Sequence, residues 1–457
     1  MIESIKRHVQ RWNGWRRQSV NRRIFGAILT VGGLGMTVRL VLMAKELLVA
    51  RRFGTTDALD AYLTAFVVPM FAVSVISGSF NASLIPALVR VQERDGQAGA
   101  QQLLSSVMLI GAGLLAAATG LLAVGSGTVV SLMGSRFSPA KLELTQHLYY
   151  VLLAVLPLSG LSTIWSAVLN AGERFALPVV ASAMTPLMPL ALLGVLGSRA
   201  SVEGLALATV SGYAGEALLL GWAIHRRGYS HRLRWHPADG AVRQVVYQYV
   251  PMLMGSIMMG STTIVDQAMA ARLGAGSVST LGYGNRIVGF VVGLGSLSLS
   301  TAVLPHFSRM VARADWASAR HTFLVYLRLV LVVTVPVTIL LAAASLPIVR
   351  LVFQRGAFTA GDSLTVARVQ SFYLLQVPFY LGGILVVRLL SSLRANHVMM
   401  IAAAINMVVN ISLDWILMRW IGVAGIALST AIVYCVSFTF MLTMLYRHLP
   451  EAAIAKR

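Results

Sequence analysis

Eight ionisable side chains stand deep inside runs of sequence that are otherwise apolar: Arg39, Lys45 and Glu46 within "MTVRLVLMAKELLVARR", then Glu216, Asp266, Arg286, Arg388 and Asp414. A charge at the centre of a bilayer costs about 2.5–3.5 kcal/mol on insertion scales, so such groups face a partner or a wet cavity and mark function. Arginine in a wet cavity of low dielectric is suited to phosphate or diphosphate, because its planar guanidinium makes two parallel hydrogen bonds to such oxygens. At about 100° per residue, Arg39 and Glu46 share a helix face, whereas Lys45 points about 120° away from Arg39. Glu46 and Asp266 are 220 residues apart and occupy equivalent places in an internal repeat described below. A competing reading has these bases and acids only pairing with one another to fasten two halves of the molecule.

A second group of residues offers oxygen. Asn410 and Asp414, four apart, share a helix face, and Thr430 and Asp266 lie at similar depth in their own spans. Carboxylate, amide, hydroxyl and carbonyl oxygens are what a hard cation such as sodium takes. Flanking Trp415 and Trp420 keep an alternative open, in which Asn410 and Asp414 belong to an aromatic belt at the membrane surface.

These residues need membrane helices to position them. Hydrophobic residues make up 57% of the chain and charged residues 12%, half the charge of an ordinary soluble domain. Spans of roughly 20 apolar residues recur at 25–50, 59–85, 101–125, 144–169, 175–197, 203–224, 245–272, 279–304, 322–348, 364–392, 397–419 and 422–446. Prolines within them, among them Pro69, Pro157, Pro186, Pro251, Pro336 and Pro378, mark expected kinks. The predicted fold is an all-α polytopic membrane protein of about twelve transmembrane helices.

Of the 37 Lys and Arg, 22 fall in the tails and loops on the side of the N-terminus, against nine on the other side. That asymmetry is the positive-inside pattern and predicts that both termini are cytoplasmic. It also accounts for the net charge of +21 through topology and anionic headgroups rather than nucleic acid. The basic start, with Lys6, Arg7, Arg11, Arg16, Arg17, Arg22 and Arg23, shows no small-residue cleavage pattern. The single Cys435 excludes disulfides and cysteine-rich metal sites. No Walker loop, nucleotide fingerprint or HExxH occurs, so neither an enzyme nor internal ATP coupling is expected.

The chain also repeats itself. "SGSFNASLIPALVRV" at 77–91 resembles "GSLSLSTAVLPHFSRMV" at 295–311, with Pro86 against Pro305, 219 residues on, while Pro157 and Pro378, Phe137 and Phe358, and Gly204 and Gly425 are each 221 apart. An offset held through six spans implies duplication with parallel repeats, as in several transporter folds, and a substrate site at the interface of the halves near the midplane. The expected organisation is a basic cytoplasmic segment (1–24), a first lobe (25–225), a basic cytoplasmic linker (226–244), a second lobe (245–448) and a tail (449–457).

"AKELLVARRFGTTDALDAYLTAFVVPMF", "SGSFNASLIPAL", "GSVSTLGYGNRIVGFVVGLGSLSLSTAVLPHFSR" and "LVFQRGAFTAGDS" resemble the MurJ/MviN family of lipid II flippases in the MOP exporter superfamily, from about residue 25 to 448. The resemblance implies two six-helix lobes in a V shape, location in the bacterial inner membrane, and outward translocation of an undecaprenyl-diphosphate-linked saccharide. It aligns Arg39, Lys45 and Arg286 with cavity bases that hold substrate, and Asp60 with an aspartate at the start of the second helix, counted with them. It also implies a sodium site of Asp266, Asn410, Asp414, the Ile426 carbonyl and Thr430, with Na+, protons or membrane potential as the coupling source, Glu46 and Asp266 as interface acids, and cell-wall or polysaccharide synthesis proteins as partners. Where the family carries bases around the second-helix proline, this chain has Val67 and Val68; Ser77 replaces an acid, and twelve spans stand where members typically have fourteen. These departures leave an exopolysaccharide or O-antigen repeat-unit flippase as an alternative reading, and a cation-coupled drug exporter as a further one.

Overall fold

The computed structural model describes residues 20–172, 174–228, 240–393 and 395–448, and these form helices joined by turns, with no strand among them. Most of the expected basic N-terminal segment and linker, and the whole tail 449–457, lie outside the described residues. The first half contains α1 (Val20–Phe53), α2 (Asp57–Val124), α3 (Ser126–Met133), α4 (Pro139–Leu153), α5 (Val155–Ala171), α6 (Ala176–Ser182), α7 (Met184–Leu196) and α8 (Val202–His225). The second contains α9 (Gly240–Ala271), α10 (Ser277–Ala312), α11 (Trp316–Ala343), α12 (Ser345–Phe353), α13 (Ala360–Leu374), α14 (Val377–Ser392), α15 (Asn396–Ile421) and α16 (Val423–His448). Among the described residues, nine stretches are long and apolar enough to cross a membrane. The other three of the twelve expected spans, 25–50, 245–272 and 279–304, fall on α1, α9 and α10.

Helix boundaries follow the duplication. The first residues of α3 and α12, α4 and α13, α5 and α14, and α8 and α16 are 219, 221, 222 and 221 residues apart. Local chemistry explains why the breaks recur. Pro157 and Pro378 stand in the first turns of α5 and α14, where a proline's missing N–H costs nothing because first-turn donors have no helical partner. Ser201 caps α8 by accepting from Gly204 N at 3.1 Å, and Thr359 with Asp362 forms a capping box at the start of α13.

Two features depart from exact repetition. α6 and α7 are separated at Ala183, three residues before Pro186, whose nitrogen has no hydrogen to give the Ser182 carbonyl. The corresponding α15 has no proline and runs unbroken for 26 residues. The expected loop between the second and third spans is largely helical, since α2 consists of two helical stretches that meet at a kink at Gly96, φ 66°. Pro69, Pro251 and Pro336 lie inside unbroken helices.

Two compact units are formed by contact. The first comprises Met1–Val49, Ala72–Val124 and Tyr150–Leu253. Within it α8 presses on the α6–α7 bend, where a Cβ on Gly212 would meet Met184 and Thr185 backbone at 2.8 Å; a glycine there lets two helices approach to backbone distance. The second unit comprises Ala50–Phe71, Gly125–Tyr149 and Met254–Arg457. Its core gathers Phe307, Phe323, Leu385, Leu389 and Leu445 from α10, α11, α14 and α16.

Candidate functional site

Three helices of the second unit bring together the oxygen-bearing residues anticipated from spacing. Asn410 Nδ2 on α15 donates to Asp266 Oδ1 on α9 at 3.0 Å, and the Thr430 hydroxyl on α16 lies 3.5 Å from Asp266 Oδ2. Thr430 Oγ1 also donates to the Ile426 carbonyl at 3.1 Å, and Asp414 stands within hydrogen-bonding reach of Asp266. Asp414 is fully buried and Asn410 is 2% exposed, whereas Trp415 and Trp420 on the same helix are exposed. The tryptophans therefore lie on a more open side of α15 than Asn410 and Asp414, which packing covers.

Chemically, this centre holds more acceptors than donors. Asn410 Oδ1 is buried without a hydrogen-bond partner, and the buried Asp414 carboxylate stands within hydrogen-bonding reach of the Ser429 hydroxyl and of Asp266. A buried acceptor left unsatisfied costs about 1–3 kcal/mol, and buried charges in proteins are normally paired or bound to metal. Two carboxylates, an amide oxygen, a hydroxyl and a nearby carbonyl form a donor set that suits a hard monovalent cation. The residues present fit such an ion.

Asp60 has partners that its alignment does not foretell. Its carboxylate, buried in the first turn of α2, accepts the Ser279 backbone N–H at 2.8 Å and lies 3.3 Å from Lys141 Nζ on α4. Lys141 is itself buried, pairs with Asp57 Oδ1 at 2.5 Å and sits 4.1 Å from the Phe137 ring centre. Ser279 occupies the first turn of α10, whose orphan N–H groups and positive dipole end attract a carboxylate. Nearby, Ala357 N donates to the Arg51 carbonyl at 2.9 Å, and Thr55 Oγ1 hydrogen-bonds Asp362. Gly54, at φ +56°, allows this approach, because a Cβ there would overlap the Ala357 carbonyl.

The expected substrate bases are distributed as follows. Arg39 is exposed on α1 and Arg286 is exposed on α10. Lys45 forms an ion pair with its neighbour Glu46 at 2.7 Å, with Glu46 nearly buried. Glu46 and Asp266, equivalent in the repeat, thus have different partners: a lysine for one, an amide and a hydroxyl for the other. Val67, where the resemblance implies a base, is buried in the second unit, and the Ser77 side chain lies outside the described residues.

Sequence reasoning missed Lys141, Ser279 and the Thr55–Asp362 contact. Lys141 looked like an ordinary loop charge, and only its lying three residues after Ser138, at the start of a helix, could have hinted at a fixed position. Ser279 contributes a backbone N–H, which no residue type signals.

A duplicated bundle of apolar helices with acids and bases inside the spans defines a polytopic membrane transporter. Its fold is similar to that of an inward-facing multidrug resistance MATE family transporter of the MOP superfamily, with a TM-score of 0.75 over 92% of this chain and 98% of that one, at 13% identity. The family model described as Lipid II flippase MurJ matches residues 49–456, and the chain belongs to that family. Similar proteins include a probable lipid II flippase MurJ from Synechocystis sp., 26% identical over 89% of this chain and 78% of its own length. The lipid II flippase MurJ of Burkholderia cenocepacia is 24% identical over 91% of this chain and 82% of its own. A structure of lipid II flippase MurJ in an inward closed conformation matches with a TM-score of 0.79 at 22% identity, covering 93% of this chain and 90% of that one.

Proposed function

We propose that this chain translocates an undecaprenyl-diphosphate-linked saccharide of the lipid II type from the cytoplasmic to the outer leaflet of the bacterial inner membrane by alternating access, with both termini in the cytoplasm. The observation that carries this reading is the family match across residues 49–456. Arg39 and Arg286 supply guanidinium groups for the diphosphate, each exposed and able to bind phosphate oxygens in pairs. Lys45 contributes a further positive charge that it shares with Glu46.

Asp266, Asn410, Asp414, the Ile426 carbonyl and Thr430 would hold the coupling cation. When bound, the ion would supply positive charge that satisfies the orphaned oxygen of Asn410 and offsets the charge of the Asp266 and Asp414 carboxylates. A coupling ligand shifts a two-state equilibrium only through its differential affinity for the two states, and membrane potential adds about 2.3 kcal/mol per unit charge per 100 mV.

Native mass spectrometry of the purified protein tests the substrate, comparing lipid II with a simpler undecaprenyl diphosphate sugar in wild type, Arg39→Ala and Arg286→Ala. Lipid II retained by wild type and lost from both variants is the expected result. Retention of the simpler lipid alone would refute lipid II as the cargo, and full retention by both variants would refute the roles of the two arginines.

A further inference from the structure

The unsatisfied acceptors of α15 do not stop at the cation centre. Asn406, Asn410 and Asp414 follow one another at four-residue intervals and so line one face of the helix. The side-chain amide of Asn406 donates to Ser437 Oγ on α16 at 3.1 Å, just as that of Asn410 donates to Asp266. Both donors are thereby engaged while both side-chain carbonyl oxygens remain: Asn406 Oδ1 and Asn410 Oδ1 are buried without a hydrogen-bond partner. One such oxygen is tolerable, but two on successive turns are costly unless something positive visits them. Ser429, whose hydroxyl donates to the Asn410 backbone carbonyl at 3.4 Å, and Ser437 continue the polar line along α16.

We infer that Asn406 and Ser437 form a second cation station, about 6 Å along α15 from Asn410, through which the ion passes between the Asp266–Asp414 centre and the N-terminal end of α15. This inference rests on the cation reading given above. Neutral oxygens suit the role, since an amide and a hydroxyl hold a monovalent cation briefly, whereas the two carboxylates retain it. A pair serving only to fasten α15 to α16 would have no use for the unpaired Asn406 oxygen.

Stopped-flow tryptophan fluorescence on the full chain in nanodiscs, with sodium chloride mixed against choline chloride, tests it; Trp415, beside Asp414, is the reporter, and Trp415→Phe identifies its signal. Asn406→Leu and the gentler Ser437→Ala are expected to slow sodium binding and release by about tenfold while equilibrium affinity stays within about twofold, and Asn406→Gln, which keeps a neutral amide oxygen, to restore the rates. Rates unchanged in both variants, or an affinity loss as large as that of Asn410→Leu, would overturn the station. A wild-type protein with no sodium response would instead overturn the cation centre itself, and the station with it; that failure is recognisable because it precedes any mutation.

Discussion

The carboxylate of Asp60 accepts the backbone N–H of Ser279 at 2.8 Å across 219 residues of chain. That separation matches the offset of the internal repeat, so the first turns of two equivalent helices, α2 and α10, meet directly. A side chain from one copy satisfies a donor that helix geometry leaves open in the other.

Breaking this junction exposes its role. Asp60→Ala leaves the Ser279 N–H unsatisfied and removes one of the two carboxylates around buried Lys141, with an expected loss of about 2–4 kcal/mol. The double variant Asp60→Asn/Lys141→Met should lose less than the sum of the single changes. Thermal unfolding in detergent measures both, and strict additivity would show that the contacts are energetically independent.

Close backbone approach makes Gly54 intolerant. Gly54→Ala combines a left-handed φ of +56° with overlap on the Ala357 carbonyl, a strain of about 1–3 kcal/mol. The hydrogen bond from Ala357 N to the Arg51 carbonyl is the expected casualty. Faster amide exchange in a peptide spanning 351–362 is the readout, and unchanged protection there would contradict the account.

Sodium should stabilise the wild-type protein where potassium and choline do not. At one hundred times its dissociation constant the ion adds about 2.7 kcal/mol. Asp266→Asn and Asp414→Asn are each expected to abolish the sodium-dependent rise in Tm while still folding, since each removes a carboxylate from the donor set. A full sodium response in both variants would place the ion elsewhere.

Lys45 and Arg39 should separate on mutation despite lying six residues apart. Lys45 has an ion-pair partner in Glu46, so Lys45→Ala lowers stability by about 1–2 kcal/mol, partly restored by adding Glu46→Gln. Arg39→Ala is expected to leave Tm nearly unchanged and to reduce lipid II binding at least about tenfold, because each 1.4 kcal/mol of lost charge-assisted hydrogen bonding is a factor of ten. Equal effects of the two substitutions on binding and Tm would remove the distinction.

Much of this protein was legible one residue at a time. Apolar runs of membrane length, the repeat offset and the spacing of Asn410 and Asp414 are local properties, carried by composition and by helical periodicity. The helix breaks at Ala154 and after Leu374 could also be read, because a proline acts on the turn that contains it.

What side chains do with one another could not be read in this way. The sequence groups Lys45 with Arg39 and aligns Asp60 with the substrate bases; only packing shows Glu46 against Lys45 and Ser279 and Lys141 on the Asp60 carboxylate. Whether an acid in a span is satisfied or left open depends on which helix packs across from it, and that is set by packing between segments hundreds of residues apart. Sequence alone determined the helices, their repetition and the chemistry available inside them. Tertiary structure alone decided that Asp60 is saturated while Asn410 keeps its side-chain oxygen open, because hydrogen-bond saturation depends on three-dimensional neighbours.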